Sequence, residues 1–190
     1  SWKIEYRLKD FFILLYIVTA GVFGVFVLLD LFFWFLAYEV ALLPMYQLIV
    51  VWGSTRKEYG GTKLMMMLMA GSIFIFTVIF ALYAEVGAGT FDMEVLLAAE
   101  KSREFQIVMF PLIAIGCGVL GAMFPFHSWS PDGHASAPTA VSMLHAGVLM
   151  KLGAYGVIRL GMGLLPEATT QWVWLVGGIA CINIVYGALS

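Results

Sequence analysis

Charge is what this sequence has least of. Asp, Glu, Lys and Arg together make 12% of its 190 residues, while 62% are hydrophobic. Ordinary soluble domains carry about 25% charged residues and ~45–50% apolar ones. A soluble fold of this length needs more polar side chains to cover its outside, so the balance excludes one and implies an integral membrane protein. Cysteine is scarce as well. Cys117 and Cys181 sit inside apolar runs without metal-type spacing, which argues against a disulfide framework and leaves them as small packing residues. The net charge is −2 and no basic cluster points to nucleic acid. A signal peptide is also missing: the start, SWKIEYRLKD, is charged, and the end, CINIVYGALS, stops inside an apolar run. Both ends read as cuts through a longer polytopic chain.

Long apolar runs are what the sequence has in abundance. A helix needs ~20 mostly apolar residues to cross the hydrocarbon, and such runs cover about 11–29, 31–53, 62–84, 105–124, 139–162 and 170–190. The stretch from 11 to 53 is too long for one helix, and Asp30 near its middle marks a tight turn. Open sheets cannot satisfy their backbone in lipid. The expected fold class is therefore all-α: a polytopic bundle of about six transmembrane helices, one of them broken, in a single membrane domain over 1–190. The Met-rich run KLMMMLMAGSIFIF (63–76) shows no single stripe and reads as lipid-facing or packed helix, as does the Phe-rich 31–35.

The few charges segregate. Lys3, Arg7, Lys9, Arg56, Lys57 and Lys63 fall on one side of such a bundle. The 85–104 loop on the other side carries Glu85, Asp92, Glu94, Glu100 and Glu104 against Lys101 and Arg103. Positive residues mark the cytoplasmic side, which puts the N-terminus and the 54–63 loop there.

Two ionisable residues fall inside the spans. Glu39 lies ~12 Å into its helix at 1.5 Å per residue, and Lys151 lies near the middle of its own. A central charge costs ~2.5–3.5 kcal/mol on insertion scales and persists where it faces a protein interior or a water-filled path. Snorkelling reaches only a short way along a stem, so the favoured reading is a pair of proton-titrating groups. Pro44 removes a backbone donor just beyond Glu39 and predicts a bend there. Gly147, Gly153 and Gly156 around Lys151 allow close helix approach, and Tyr155 one turn on shares the lysine's face. His145, about 120° around the same helix from Lys151, is either a proton relay or a hydrogen-bonded spacer between helices.

All three histidines lie close to one interrupted segment, FPFHSWSPDGHASAPTA (124–140), where Pro125, Pro131, Pro138 and Gly133 prevent a continuous helix. Irregular backbone at membrane depth is tolerated where it is buried in protein or lines a cavity. His127, Asp132 and His134 are metal-ligand types, but no further ligand is suitably placed, and no metal is expected. A polar lining of a proton path is favoured, with an ordinary turn capped by Asp132 as the alternative.

These residues also carry a resemblance. YEVALLPMYQLIVVWG followed by RKEYGGTK, the segment FPFHSWSPDGHASAPTA and the following GVLMKLGAYGVIR resemble the antiporter-like M subunit, or chain 4, of NADH:quinone oxidoreductase (respiratory complex I). The match is correctly spaced over nearly the whole chain and corresponds to about spans four to nine of fourteen. The resemblance implies a proton-translocating membrane subunit in which Glu39 and Lys151 lie on a central hydrophilic axis. Such a subunit holds no cofactor of its own; NADH, FMN, iron–sulfur clusters and quinone belong to partner subunits of the same assembly. It implies a bacterial cytoplasmic or mitochondrial inner membrane, lipid and neighbouring membrane subunits as partners, and protons as the transported species. The chain departs from the family pattern at Leu120, where a lysine is usual, at Ala122 in place of a proline, and at Ser136 in place of an acid. His145 also resembles sodium/proton antiporter relatives. A multisubunit antiporter, a membrane-bound hydrogenase and a non-pumping structural subunit are the alternatives.

Overall fold

The computed structural model describes residues 4–189, so Lys3 and Ser190, each part of an expectation above, lie outside the described residues. The long helices are α1 (Leu8–Val27), α2 (Leu31–Trp52), α3 (Lys57–Val86), α5 (Arg103–Leu120), α7 (Thr139–Met162) and α8 (Pro166–Leu189). Between them lie two short ones, α4 (Met93–Ala98) and α6 (Trp129–Ser136). Among the described residues, the six long helices are those long and apolar enough to cross a membrane.

The first turn is where the sequence placed it. The Asp30 carboxylate accepts hydrogen bonds from the backbone N–H groups of Phe32 and Phe33, at 2.9 and 3.0 Å, and so starts α2 with an N-cap. The second connection is shorter than expected. α3 begins at Lys57 rather than near 62, so the loop over 54–63 reduces to the few residues around Ser54. Hydropathy misses this first stretch because KEYGGTK is polar. It is helical because its glycines admit neighbours: a Cβ on Gly60 would collide with Asp132 and Ser136, and one on Gly61 with Val50. α2 runs unbroken through Pro44, whose ring is buried.

α3 also shows what the Met-rich run conceals. Leu64, Leu68, Gly71, Ser72, Ile75, Val78, Ile79 and Leu82 form its buried stripe, at the three- and four-residue spacing of one helix face. Met66 and Met69 point outward, 66% and 50% exposed. The facing stripe of α2 contains Trp34, Tyr38, Leu42, Met45 and Ile49.

At the far end, the acidic segment between α3 and α5 is a clasp rather than a plain loop. Leu31 N–H donates to the Phe91 carbonyl at 2.9 Å, and Met93 N–H to the Leu29 carbonyl at 2.7 Å. Asp92 caps α4 by accepting from Glu94 N–H at 2.8 Å, and the Lys101 amine donates to the Leu96 and Ala99 carbonyls. The opposite end gathers Arg7, Arg56 and Lys57, with the Trp52 indole donating to the Tyr6 carbonyl at 2.7 Å. The charge segregation expected from sequence is thus a segregation between the two ends of the bundle.

α5 packs against α3, α7 and α8. Its approach to α7 is close: a Cβ on Gly153 would collide with backbone atoms of Gly121 and Cys117, and one on Gly156 with the Cys117 sulfur. Gly147, grouped with them from sequence, has open space around its Cα and makes no such approach. Overpacking a close contact costs about 1–3 kcal/mol, occasionally more. Gly153→Leu is therefore expected to lower the unfolding temperature in detergent markedly, while Gly147→Ala leaves it unchanged; circular dichroism melts compare the two.

Candidate functional site

α5 stops inside the bundle. Gly71 of α3 packs on Gly116, and Gly153 of α7 on Gly121. Gly71 lies about 21 Å along α3 from the basic end, at 1.5 Å per residue, so α5 ends near mid-depth. After Leu120 the backbone turns through Ala122, with φ of 52°, into a short 3-10 turn at Phe126–Ser128 and then α6.

Free carbonyls at such an end are costly away from water, and here they are met locally. Gly121 N–H reaches the Cys117 carbonyl at 2.9 Å, Met123 N–H that of Gly118 at 2.8 Å, and Ala122 N–H that of Val119 at 3.1 Å. The Trp129 indole also donates to Val119, at 3.1 Å. One donor of the break is met from outside: Phe124 N–H donates to Asn183 Oδ1 on α8, at 3.1 Å.

The four polar residues read from the interrupted segment and α7 divide into three places. Asp132 lies within α6, where it ion-pairs with Lys63 of α3 at 2.6 Å, so it ties two helices rather than capping a turn. His134 Nδ1 is 3.0 Å from Ser142 Oγ, and its Nε2 is 3.3 Å from Met150 Sδ. The His134 ring stacks on His145 at 4.5 Å, and His145 stacks in turn on Trp129 at 5.4 Å. His145 is fully buried, and neither ring nitrogen has a hydrogen-bond partner among the described residues. His127 stands apart, stacked on Phe124 and edge-on to Tyr186 at 4.8 Å. No group of three His, Cys, Asp or Glu placed to hold a metal occurs among the described residues.

The two mid-span charges open onto different clefts. Glu39 is half-buried and faces a cleft between α2 and α3 lined by Phe35, Met69, Ser72, Ile73 and Phe76. Its Oε1 is buried with no partner among the described residues. Lys151 is exposed in this chain and edges a cleft of about 320 Å³ between α5, α7 and α8, shared with Cys117, Met150 and Asn183. It is therefore not enclosed by the helices described. Tyr155, expected on its face, packs instead edge-on against Phe26 at 4.9 Å. α7 is wound wider than an α-helix at His145–Leu149 and Val157–Met162, as the Met150 N–H to His145 carbonyl bond shows. The 120° offset expected between His145 and Lys151 assumed a regular helix and does not describe this one. Such π-turns cluster at functional sites. Leu120, the last residue of α5, is buried.

Sequence reasoning missed Asn183, which lines the Lys151 cleft and also a second one containing His127, Ser130 and Tyr186. An amide deep inside the apolar run 170–190 was a signal of the same kind as Glu39. Ser72 and Tyr38, both buried, gave weaker signals, because hydroxyls are ordinary in membrane helices. The Phe124–Asn183 hydrogen bond is partly buried, and a typical hydrogen bond contributes about 0.5–1.5 kcal/mol net. Asn183→Leu is expected to lower stability in detergent by that amount and to increase hydrogen exchange at Phe124 N–H, read by mass spectrometry.

Residues 29–190 match the family described as NADH:quinone oxidoreductase/Mrp antiporter, transmembrane. The chain is 39% identical over its whole length to NAD(P)H-quinone oxidoreductase chain 4 2 of Microcystis aeruginosa, covering 34% of that protein. It is 37% identical to NAD(P)H-quinone oxidoreductase chain 4 3 of Picosynechococcus sp., covering 35%. The chain thus spans about a third of the length of these relatives. Its fold is similar to a chain of respiratory complex I from Thermus thermophilus, with a TM-score of 0.88 and 24% identity over 94% of this chain and 38% of that one. A chain of the Mrp complex from Dietzia sp. gives a TM-score of 0.73 and 23% identity over 85% and 30%.

Proposed function

Because the chain belongs to the NADH:quinone oxidoreductase/Mrp antiporter transmembrane family, we propose that it is a proton-translocating membrane subunit of an NADH:quinone oxidoreductase-type redox pump. The observation that carries this reading is the pair of ionisable groups near mid-depth, Glu39 on α2 and Lys151 on α7, each opening onto a cleft beside packed helices. Burial disfavours the charged form of either group and a nearby opposite charge favours it. A change in hydration or neighbouring charge then loads or unloads a proton. The stacked His134 and His145 and the separate His127 supply further proton-accepting nitrogens on the way to the basic end. In this reading the basic end faces the cytoplasm, in a bacterial cytoplasmic or mitochondrial inner membrane.

The chain itself performs no redox step. NADH, FMN, iron–sulfur clusters and quinone sit in partner subunits, and the exposed faces of α7 and α8 meet other membrane segments or lipid. In the assembled complex, Glu39→Gln and Lys151→Met are each expected to abolish most proton translocation while electron transfer to quinone continues in part. Reconstituted proteoliposomes with a pH-sensitive dye measure it, and undiminished pumping in both variants overturns the reading.

One observation favours a second reading. The likeness to the Mrp complex chain fits a sodium/proton antiporter subunit without electron-transfer coupling, and proton movement that depends on sodium and not on electron input separates the two.

A further inference from the structure

The clefts of Glu39 and Lys151 share no lining residue, so a proton passing between the two groups has to cross the packed wall separating them. That wall holds two buried hydroxyls. Ser72 lines the Glu39 cleft from α3 and is 6% exposed. Its Oγ is 3.4 Å from the Tyr38 hydroxyl and also donates to the Leu68 carbonyl at 3.0 Å. Tyr38 is completely buried and directly precedes Glu39 in sequence, while Gly71, the residue before Ser72, packs on Gly116, the residue before Cys117. Cys117 in turn lines the Lys151 cleft. Trp34, one turn before Tyr38, borders the same place near Gly156, and its indole N–H is buried without an acceptor among the described residues. Buried polar hydrogens in apolar helices are costly unless matched, and these are concentrated between the two charges.

Building on the reading of Glu39 and Lys151 above, we infer that the Tyr38–Ser72 hydroxyl pair conducts protons between the two clefts. A hydroxyl both donates and accepts, which is what a hand-over needs. A proton leaving the Glu39 carboxyl is taken by Ser72 Oγ as the hydroxyl proton of Ser72 passes to the Tyr38 oxygen. The phenolic proton of Tyr38 leaves past Cys117 for the amine of Lys151 once that amine has handed on a proton of its own. Each hydroxyl ends with one proton, as it began, and the net change is one proton moved from Glu39 to Lys151. The route requires no ionisable side chain at the buried Leu120.

The test uses the assembled complex with Tyr38→Phe, Ser72→Ala and Ser72→Thr, alongside Glu39→Gln. Tyr38→Phe keeps the ring and Ser72→Thr keeps the hydroxyl, so packing and proton hand-over separate. Protons translocated per quinone reduced are expected to fall to the Glu39→Gln level in Tyr38→Phe and Ser72→Ala, and to stay at the native level in Ser72→Thr. Native pumping in Tyr38→Phe beside a defective Glu39→Gln overturns this inference and leaves the proposed function standing. A Ser72→Thr variant as defective as Ser72→Ala also overturns it, because packing then explains the loss. Native pumping in Glu39→Gln removes Glu39 from the route, and this inference with it.

Discussion

Everything in this chain is arranged around a backbone that has nowhere to find water. Along the long helices the peptide groups bond to one another except opposite Pro44 and Pro111, and the cost concentrates where α5 stops near mid-depth. There the structure supplies one donor after another: the N–H groups of Gly121, Ala122 and Met123, and the Trp129 indole. Because these partners come from the break itself, it is a fixed element with a defined shape. The polar side chains around it, His127, His134 and Asn183, inherit that placement. The Lys63–Asp132 ion pair then joins α6 to α3, so the polar end of the break is held by a helix on its other side.

The two charges owe their positions to the same frame. Glu39 is on the side of α2 that faces the α2–α3 cleft, one residue away from the fully buried Tyr38, and Lys151 lies between two widened turns of α7. Neither charge is neutralised by a salt bridge among the described residues. An isolated ionisable group in a low-dielectric setting responds strongly to small changes in hydration or field. This is the property that the proposed proton-carrying role requires of the two groups.

Much of the fold was legible because the bilayer imposes length. Six apolar runs gave six helices, and Asp30 marked the first turn because an N-cap has a short local signature. The start of α3 was not legible: its helical conformation depends on Gly60 admitting α6, a contact between residues far apart in sequence. The Leu64–Leu68 stripe was hidden because methionine and leucine are equally apolar, so hydropathy cannot say which faces inward. At the candidate site, Glu39 and Lys151 stood out by charge alone. The stacking of His134 on His145, the separation of His127 and the part played by Asn183 depended on where the chain turns after Leu120. No residue pattern encodes that turn directly.

The clasp between Leu29–Leu31 and Phe91–Met93 bears on how the chain is built. Its strand-like pairing joins the α1–α2 turn to residues that follow α3, so it forms only after α3 has been threaded across the bilayer. Contacts of that sequence separation form late. The clasp thereby makes closure of the α1–α2 end depend on the segment that leads into α5.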